Sequence, residues 1–283
     1  MWGSKTLGVA VGTYGGAVMI ESYGMNAAIQ AQAVMVLVIL AAVLMVRERS
    51  GEKLFPWSRG AAASKQIAAL RSPIIVLQEL CRALALWTTA IGVLVAIFTS
   101  VCQGVFINLA NDTFVNVFHW SASDYSKVQG SYGVAAEVIG ALAGGFFCDR
   151  FGRRKMALIG GLIASGGLIT FGLLHPFWVS DSFSGLWIIP LFKGAIAFQT
   201  VSLFSLYMKI SWTTAKATQF TLYMAVSNFG VFLGSQLNRL DWERWQLFVL
   251  GGTSALIPIV LLLMMKPDLV VKRRLEDEKS REA

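Results

Sequence analysis

The chain has 283 residues, of which 55% are hydrophobic and only 14% charged, with 24 Lys and Arg against 16 Asp and Glu. A mean hydropathy of +0.62 excludes an ordinary soluble domain and points to several membrane spans. The net charge of +8 does not form a nucleic-acid-binding face, because the cations sit in loops between apolar runs rather than on one soluble surface.

Eight apolar runs read as transmembrane helices: 5–20, 27–46, 83–107, 128–147, 156–174, 185–208, 217–237 and 245–265. The fold class is therefore all-α and polytopic. The first run is rich in glycine. Gly8 with Gly12, and Gly140 with Gly144 in the fourth run, form small-xxx-small faces that let helices approach closely. Residues 47–82 are the one long internal connection. They hold RERSGEK, Pro56 and an alanine-rich stretch and read as a linker, with 61–80 as an interfacial helix. The chain then divides into 1–46 (two helices), the linker 47–82, a six-helix bundle over 83–265 and a charged tail, 266–283.

Loop charge sets the orientation. With the amino end inside, Lys5, the linker, the loop after the fourth run, Lys209, Lys216 and the tail share one side, which holds 20 of the 24 Lys and Arg. The positive-inside rule then puts both termini in the cytoplasm. Trp120, Trp178, Trp187, Trp242 and Trp245 fall at the opposite interface as aromatic anchors.

Polar residues deep in the runs are the candidates for chemistry. Tyr14, Glu137, Lys193 and Asn228 lie roughly 8–11 residues into their spans, about 12–17 Å at 1.5 Å per residue, near the middle of an apolar core about 30 Å thick. Glu137 and Lys193 are the charged pair at that depth. Charges there face a cavity or a partner, so they either line a substrate or proton site or fix helix packing. Pro190 is placed to kink the helix that carries Lys193. Gln103 and Gln199 are further cavity candidates. His119 and His175 fall in separate outer loops, and Cys81, Cys102 and Cys148 show no metal spacing, so no metal, cofactor or catalytic cluster is expected and the chain does not read as an enzyme. The absence of a G-x-x-x-x-G-K-[ST] loop argues against an ATP-driven pump.

The loop after the fourth run is GFFCDRFGRRK, 145–155. Its cations serve topology, but Asp149 does not, and a carboxylate there suggests a specific partner such as the amino end of another helix. The string Gly145, Asp149, Arg150, Gly152, Arg153, Arg154 resembles the signature loop of major facilitator superfamily transporters. The stretch AKATQFTLYMAVSNFG, 215–230, sharpest at Ala217-Thr218-Gln219-Phe220, resembles a segment of the AmpG-type muropeptide permeases of the peptide–acetyl-coenzyme A–drug transporter family. The resemblance implies a multi-pass protein of the cell (inner) membrane that moves a small-molecule solute by alternating access with a proton, as a symporter, with a muropeptide as the solute in the AmpG branch. It also implies that the signature loop follows the eighth of twelve helices, so that the first four helices of that fold are missing here. Asp149 would then gate the cytoplasmic side by latching onto the start of the seventh span at Thr218 and Gln219. That branch usually bears a carboxylate near the position of Lys193, and the lysine here instead favours an anionic group or Glu137 as partner. The alternatives are a facilitator for a siderophore, sugar or drug, and a truncated membrane scaffold that transports nothing.

Overall fold

The structure is a computed structural model that describes residues 2–45, 81, 84, 86–180, 185–211, 216–240 and 242–265. The linker helix expected at 61–80 and the tail 266–283 lie outside the described residues. Among the described residues every regular element is helical. In chain order these are α1 (Trp2–Tyr23), α2 (Met25–Met45), α3 (Trp87–Asp112), α4 (Ala122–Val128), α5 (Val134–Phe151), α6 (Arg153–Leu173), α7 (His175–Ser180), α8 (Ile188–Ile210), α9 (Lys216–Leu237), α10 (Arg244–Ser254) and α11 (Leu256–Met264). A π-helical turn, Thr113–Val117, extends α3, and a second, Gln129–Gly133, joins α4 to α5.

Among the described residues six segments are long and apolar enough to cross a bilayer: Met25–Met45, Trp87–Val117, Ala122–Phe151, Arg153–Leu173, Ile188–Ile210 and Arg244–Met264. The protein is a multi-pass membrane protein. Each of the eight expected runs coincides with a helical segment among the described residues, but α1 and α9 fall short of the apolarity that marks the other six. α1 and α9 have 22 residues each, about 33 Å of helix, but α1 carries five glycines and Glu21, and α9 carries Thr218, Gln219, Thr221, Ser227, Asn228, Ser235 and Gln236. Such helices need shelter from lipid. α9 obtains it against α3, and α1 packs on α2, α4 and α5.

The closest packing is between helices that are not sequence neighbours. α3 pairs with α9, and α5 with α8. Glycine makes both contacts possible. A Cβ added at Gly140 would stand 2.1 Å from the Gly194 carbonyl oxygen, and one at Gly234 would stand 2.1 Å from that of Val101. Gly230 faces Ile97 as Gly234 faces Val101, and Gly140 faces Gly194 as Gly144 faces Phe198, so the residue numbers rise together and each pair is parallel. Gly8 and Gly12 behave differently from expectation: neither has an atom within 4 Å of an added Cβ. α1 docks through another face, with Ala17 only 2% exposed and Thr13 and Tyr14 against Gly130.

Two further expectations change. Trp178 is not an interface anchor. It is 2% exposed, stacks on Phe171 and donates from Nε1 to the Phe171 carbonyl at 2.7 Å, which satisfies the indole and lets it enter the core. Pro190 does not kink α8. It falls in the first turn, after the cap at Trp187, where a missing N–H removes no helical hydrogen bond.

Candidate functional site

α3, α8 and α9 enclose a cavity of about 630 Å³, inside the range of roughly 300–1,000 Å³ that holds small molecules. Each helix contributes a stripe at helical spacing: Thr99 and Gln103 from α3, Phe204 and Met208 from α8, and Phe220, Met224 and Asn228 from α9. The lining is largely apolar, and among the described residues it holds no charged side chain. Two wall residues are unusual. The Thr99 and Tyr207 hydroxyls are buried with no hydrogen-bond partner among the described residues. Buried polar groups are nearly always paired, which sets these two oxygens apart.

The residues singled out from the sequence fall in separate places. Gln103 and Asn228 line the cavity. Gln199 does not. It is 1% exposed and is wedged against Gly160 and Gly161 of α6, with its Nε2 unpartnered among the described residues. Tyr14 is exposed and meets Gly130 near the π turn of the α4–α5 helix. Glu137 and Lys193 meet each other, Nζ to Oε2 at 3.8 Å, with side chains 14% and 18% exposed. The pair joins α5 to α8 beside the Gly140–Gly194 contact. The Lys193 stem lies over Gly133, whose added Cβ would come 3.1 Å from Cδ, so the π turn shapes the seat of the lysine. Lys193 lies about 8 Å from the start of α8 at Ile188, shallower than a count from residue 185 gives.

At the other end of α5 the loop turns on Gly152, whose φ of +97° lies in a region that disfavours side chains. Arg153 and Arg154 are then held by neighbouring helices. Arg153 Nη1 donates to the Ser205 carbonyl at 3.0 Å, and Arg154 Nη2 to the Leu263 carbonyl at 2.6 Å. Asp149, Arg150 and Lys155 are exposed, and Asp149 shares a cleft with the arginines and Lys209. Gln219, the expected latch partner, is fully buried. It donates from Nε2 to Thr89 Oγ1 at 3.2 Å and to the Tyr223 hydroxyl at 3.4 Å, so in this structure it ties α9 to α3. Its neighbour Thr218 is partly buried.

Several features were not read from sequence. At one end of the bundle Lys127 pairs with Glu21 at 2.7 Å, and Ser123 donates to Glu21 at 2.6 Å, so α1 is clamped to α4. Arg244 pairs with Asp112 at 2.5 Å, joining α3 to α10. Opposite charges in separate loops were the available signal, but nothing in one sequence says which loops meet. Among the described residues no group of His, Cys, Asp and Glu is arranged to hold a metal.

The sequence model of the Major Facilitator Superfamily matches residues 3–235. The chain belongs to the major facilitator superfamily. No curated protein matches it. Membership makes the chain a secondary transporter in general terms, acting on small solutes across a bilayer. It also gives the cavity and the loop a common frame: in this transporter a largely apolar hollow lies between spans, while the Asp149–Lys155 turn sits at one end of them, braced to α8 and α11.

Proposed function

We propose that the protein moves a small solute by alternating access, with the cavity between α3, α8 and α9 as part of the solute's path and the Glu137–Lys193 pair as the proton-exchanging element. The observation that carries this reading is the cavity with two unpartnered buried hydroxyls, Thr99 and Tyr207. A solute would supply their missing partners. Gln103 and Asn228 add an amide from each of two helices.

Coupling is assigned to Glu137 and Lys193 because ionisable groups inside spans mark ion pathways and relays. Their remaining exposure leaves a route for protons. Asp149 is assigned to the gate: in a second state of the cycle it would reach the positive amino end of α9 near Thr218 and Gln219. The charge asymmetry of the loops supports cytoplasmic termini, and the AmpG-type resemblance supports the inner membrane. The AmpG-type resemblance at 217–220 makes an anhydro-muropeptide the first solute to assay. In the structure that segment has two roles, since Gln219 locks α9 to α3 while Phe220 lines the cavity.

The test is uptake of labelled anhydro-muropeptide, then of a siderophore, sugar and drug panel, into vesicles holding the protein. Uptake that needs an inward proton gradient and is lost in Glu137→Gln and Asn228→Leu supports the reading. Uptake unaffected by collapse of the gradient makes the protein a facilitator. No uptake of any solute by folded, inserted protein favours the scaffold.

A further inference from the structure

A second hollow, about 710 Å³, opens between the α5–α6 turn and the ends of α8 and α11. Among the described residues its polar wall carries Arg153, Arg154, Lys155 and Lys209 against a single carboxylate, Asp149, a formal excess of three positive charges. The rest of the wall is apolar, with Leu158, Leu206 and Leu263 on helices that run into the membrane. A stop-transfer signal needs cations beyond the span and nothing more. It does not need guanidinium groups braced on the carbonyls of two other helices. In both arginines the acceptor is a main-chain carbonyl, not a carboxylate, so these bonds fix the side chains without neutralising them. Each guanidinium has five N–H donors, and one serves in each of these contacts. The first turn of α6, with Gly152 as a cap that offers no side-chain hydrogen bond, adds its dipole to the same field.

Fixed cations above an apolar wall at the mouth of a helix bundle fit a ligand with an anionic head and a hydrocarbon body. We propose that this cleft binds the phosphate headgroup of an anionic phospholipid, with the acyl chains following the leucine wall into the bilayer. A free phosphate would use the cations alone and leave that wall without a role. Basic pockets between spans on the cytoplasmic side are suited to such headgroups, and the charge asymmetry of the loops places this cleft on that side. The site is independent of the solute, of coupling and of the cavity between α3, α8 and α9.

The experiment is native mass spectrometry of the purified full chain released from vesicles of equimolar phosphatidylglycerol and phosphatidylcholine, with thermal unfolding in each lipid alone. Wild-type protein should retain phosphatidylglycerol in preference to phosphatidylcholine and unfold at a higher temperature in its presence. Lys209→Gln should lower that retention about fivefold, and Lys155→Gln with Lys209→Gln about 25-fold, at one interfacial charge each. The two arginines are left in place because they brace the backbone of α8 and α11. The Lys→Arg pair at the same positions keeps the charge and should restore retention, which separates lost binding from lost folding. Arg239→Gln, at the other end of α9, should change nothing. Equal retention of the two lipids, or undiminished retention in the double Lys→Gln variant, overturns the proposal. Inorganic phosphate that stabilises the protein in phosphatidylcholine as well as phosphatidylglycerol does would make the site one for a free anion and overturn the lipid assignment.

Discussion

Neutralising the ion pair between α5 and α8 separates its structural part from its proposed chemical part. Lys193 and Glu137 stand 3.8 Å apart, and at an effective dielectric of about 20 their attraction is about 4 kcal/mol. Taking both groups out of water offsets much of that gain, so the pair as a whole contributes little net stability. Removing one partner is different, because the survivor is left charged with only 14–18% of its side chain exposed. Such truncations in fully buried pairs lose about 3–5 kcal/mol, and the residual exposure here argues for the lower end. Glu137→Gln and Lys193→Met are therefore each expected to destabilise by about 3 kcal/mol, and the double variant by about 1, which gives a coupling energy of several kcal/mol. The assay is denaturation of the purified protein in mixed micelles, followed by the fluorescence of its nine tryptophans, for all four members of the cycle. A coupling energy below about 0.5 kcal/mol would refute the reasoning, since the two charges would then not feel each other. Uptake assays on the same four proteins decide the rest. A double variant that regains stability but still ignores the proton gradient supports proton exchange by the pair. One that regains both leaves the pair a packing element.

The remaining predictions address packing, cavity, clamp and gate. Gly140→Ala should destabilise by about 1–3 kcal/mol or more through overpacking, because the new methyl would stand 2.1 Å from the Gly194 oxygen, while Gly8→Ala, with nothing within 4 Å, should stay within about 0.5 kcal/mol; equal effects in the same denaturation assay would refute the packing scheme. Thr99→Val removes a buried hydroxyl that has no partner, so stability should hold or rise by about 1 kcal/mol while solute affinity falls, and a stability loss above that range would mean the hydroxyl is bonded after all. Glu21→Gln removes the clamp on Lys127 and Ser123, and it should weaken α1–α4 cross-linking between cysteines placed at 17 and 123 in a way that high salt mimics in the parent protein; unchanged cross-linking would show that Ala17 and Tyr14 hold α1 unaided. Asp149→Asn should shift the balance of inward- and outward-facing states, read by accessibility labelling of a cysteine at 228, and an unshifted balance would remove Asp149 from the gate.

The parts of this fold that are legible in the sequence are those written by local composition. Apolar run length gives the six apolar spans among the described residues directly. The RFGRR turn is legible because Gly152 and its flanking cations are local features. What escapes is whatever depends on the choice of partner. The Gly8–Gly12 and Gly140–Gly144 spacings look alike, yet only the second faces a carbonyl across an interface, because packing needs a second helix at the right height and one sequence does not name it. Trp178 looks like an anchor until Phe171 supplies the acceptor for its indole.

The polar candidates teach the same lesson more finely. Tyr14, Gln103, Glu137, Lys193, Gln199 and Asn228 could be ranked by depth alone, and depth treats them as one set. Helical phase then sorts them: Gln103 and Asn228 face the cavity, whereas Gln199, on the same helix as the cavity-lining Thr200, is turned one residue away into the glycines of α6. A rotation of about 100° per residue is enough to carry a side chain from a solute path into a helix contact. The charged pair is legible in kind, since opposite charges inside spans seek each other, but its seat is not, because that seat is made by a π turn at Gln129–Gly133 that shifts the phase of everything after it. In a membrane bundle composition therefore specifies which segments cross, while function depends on phase, and phase is set by contacts that local sequence does not encode.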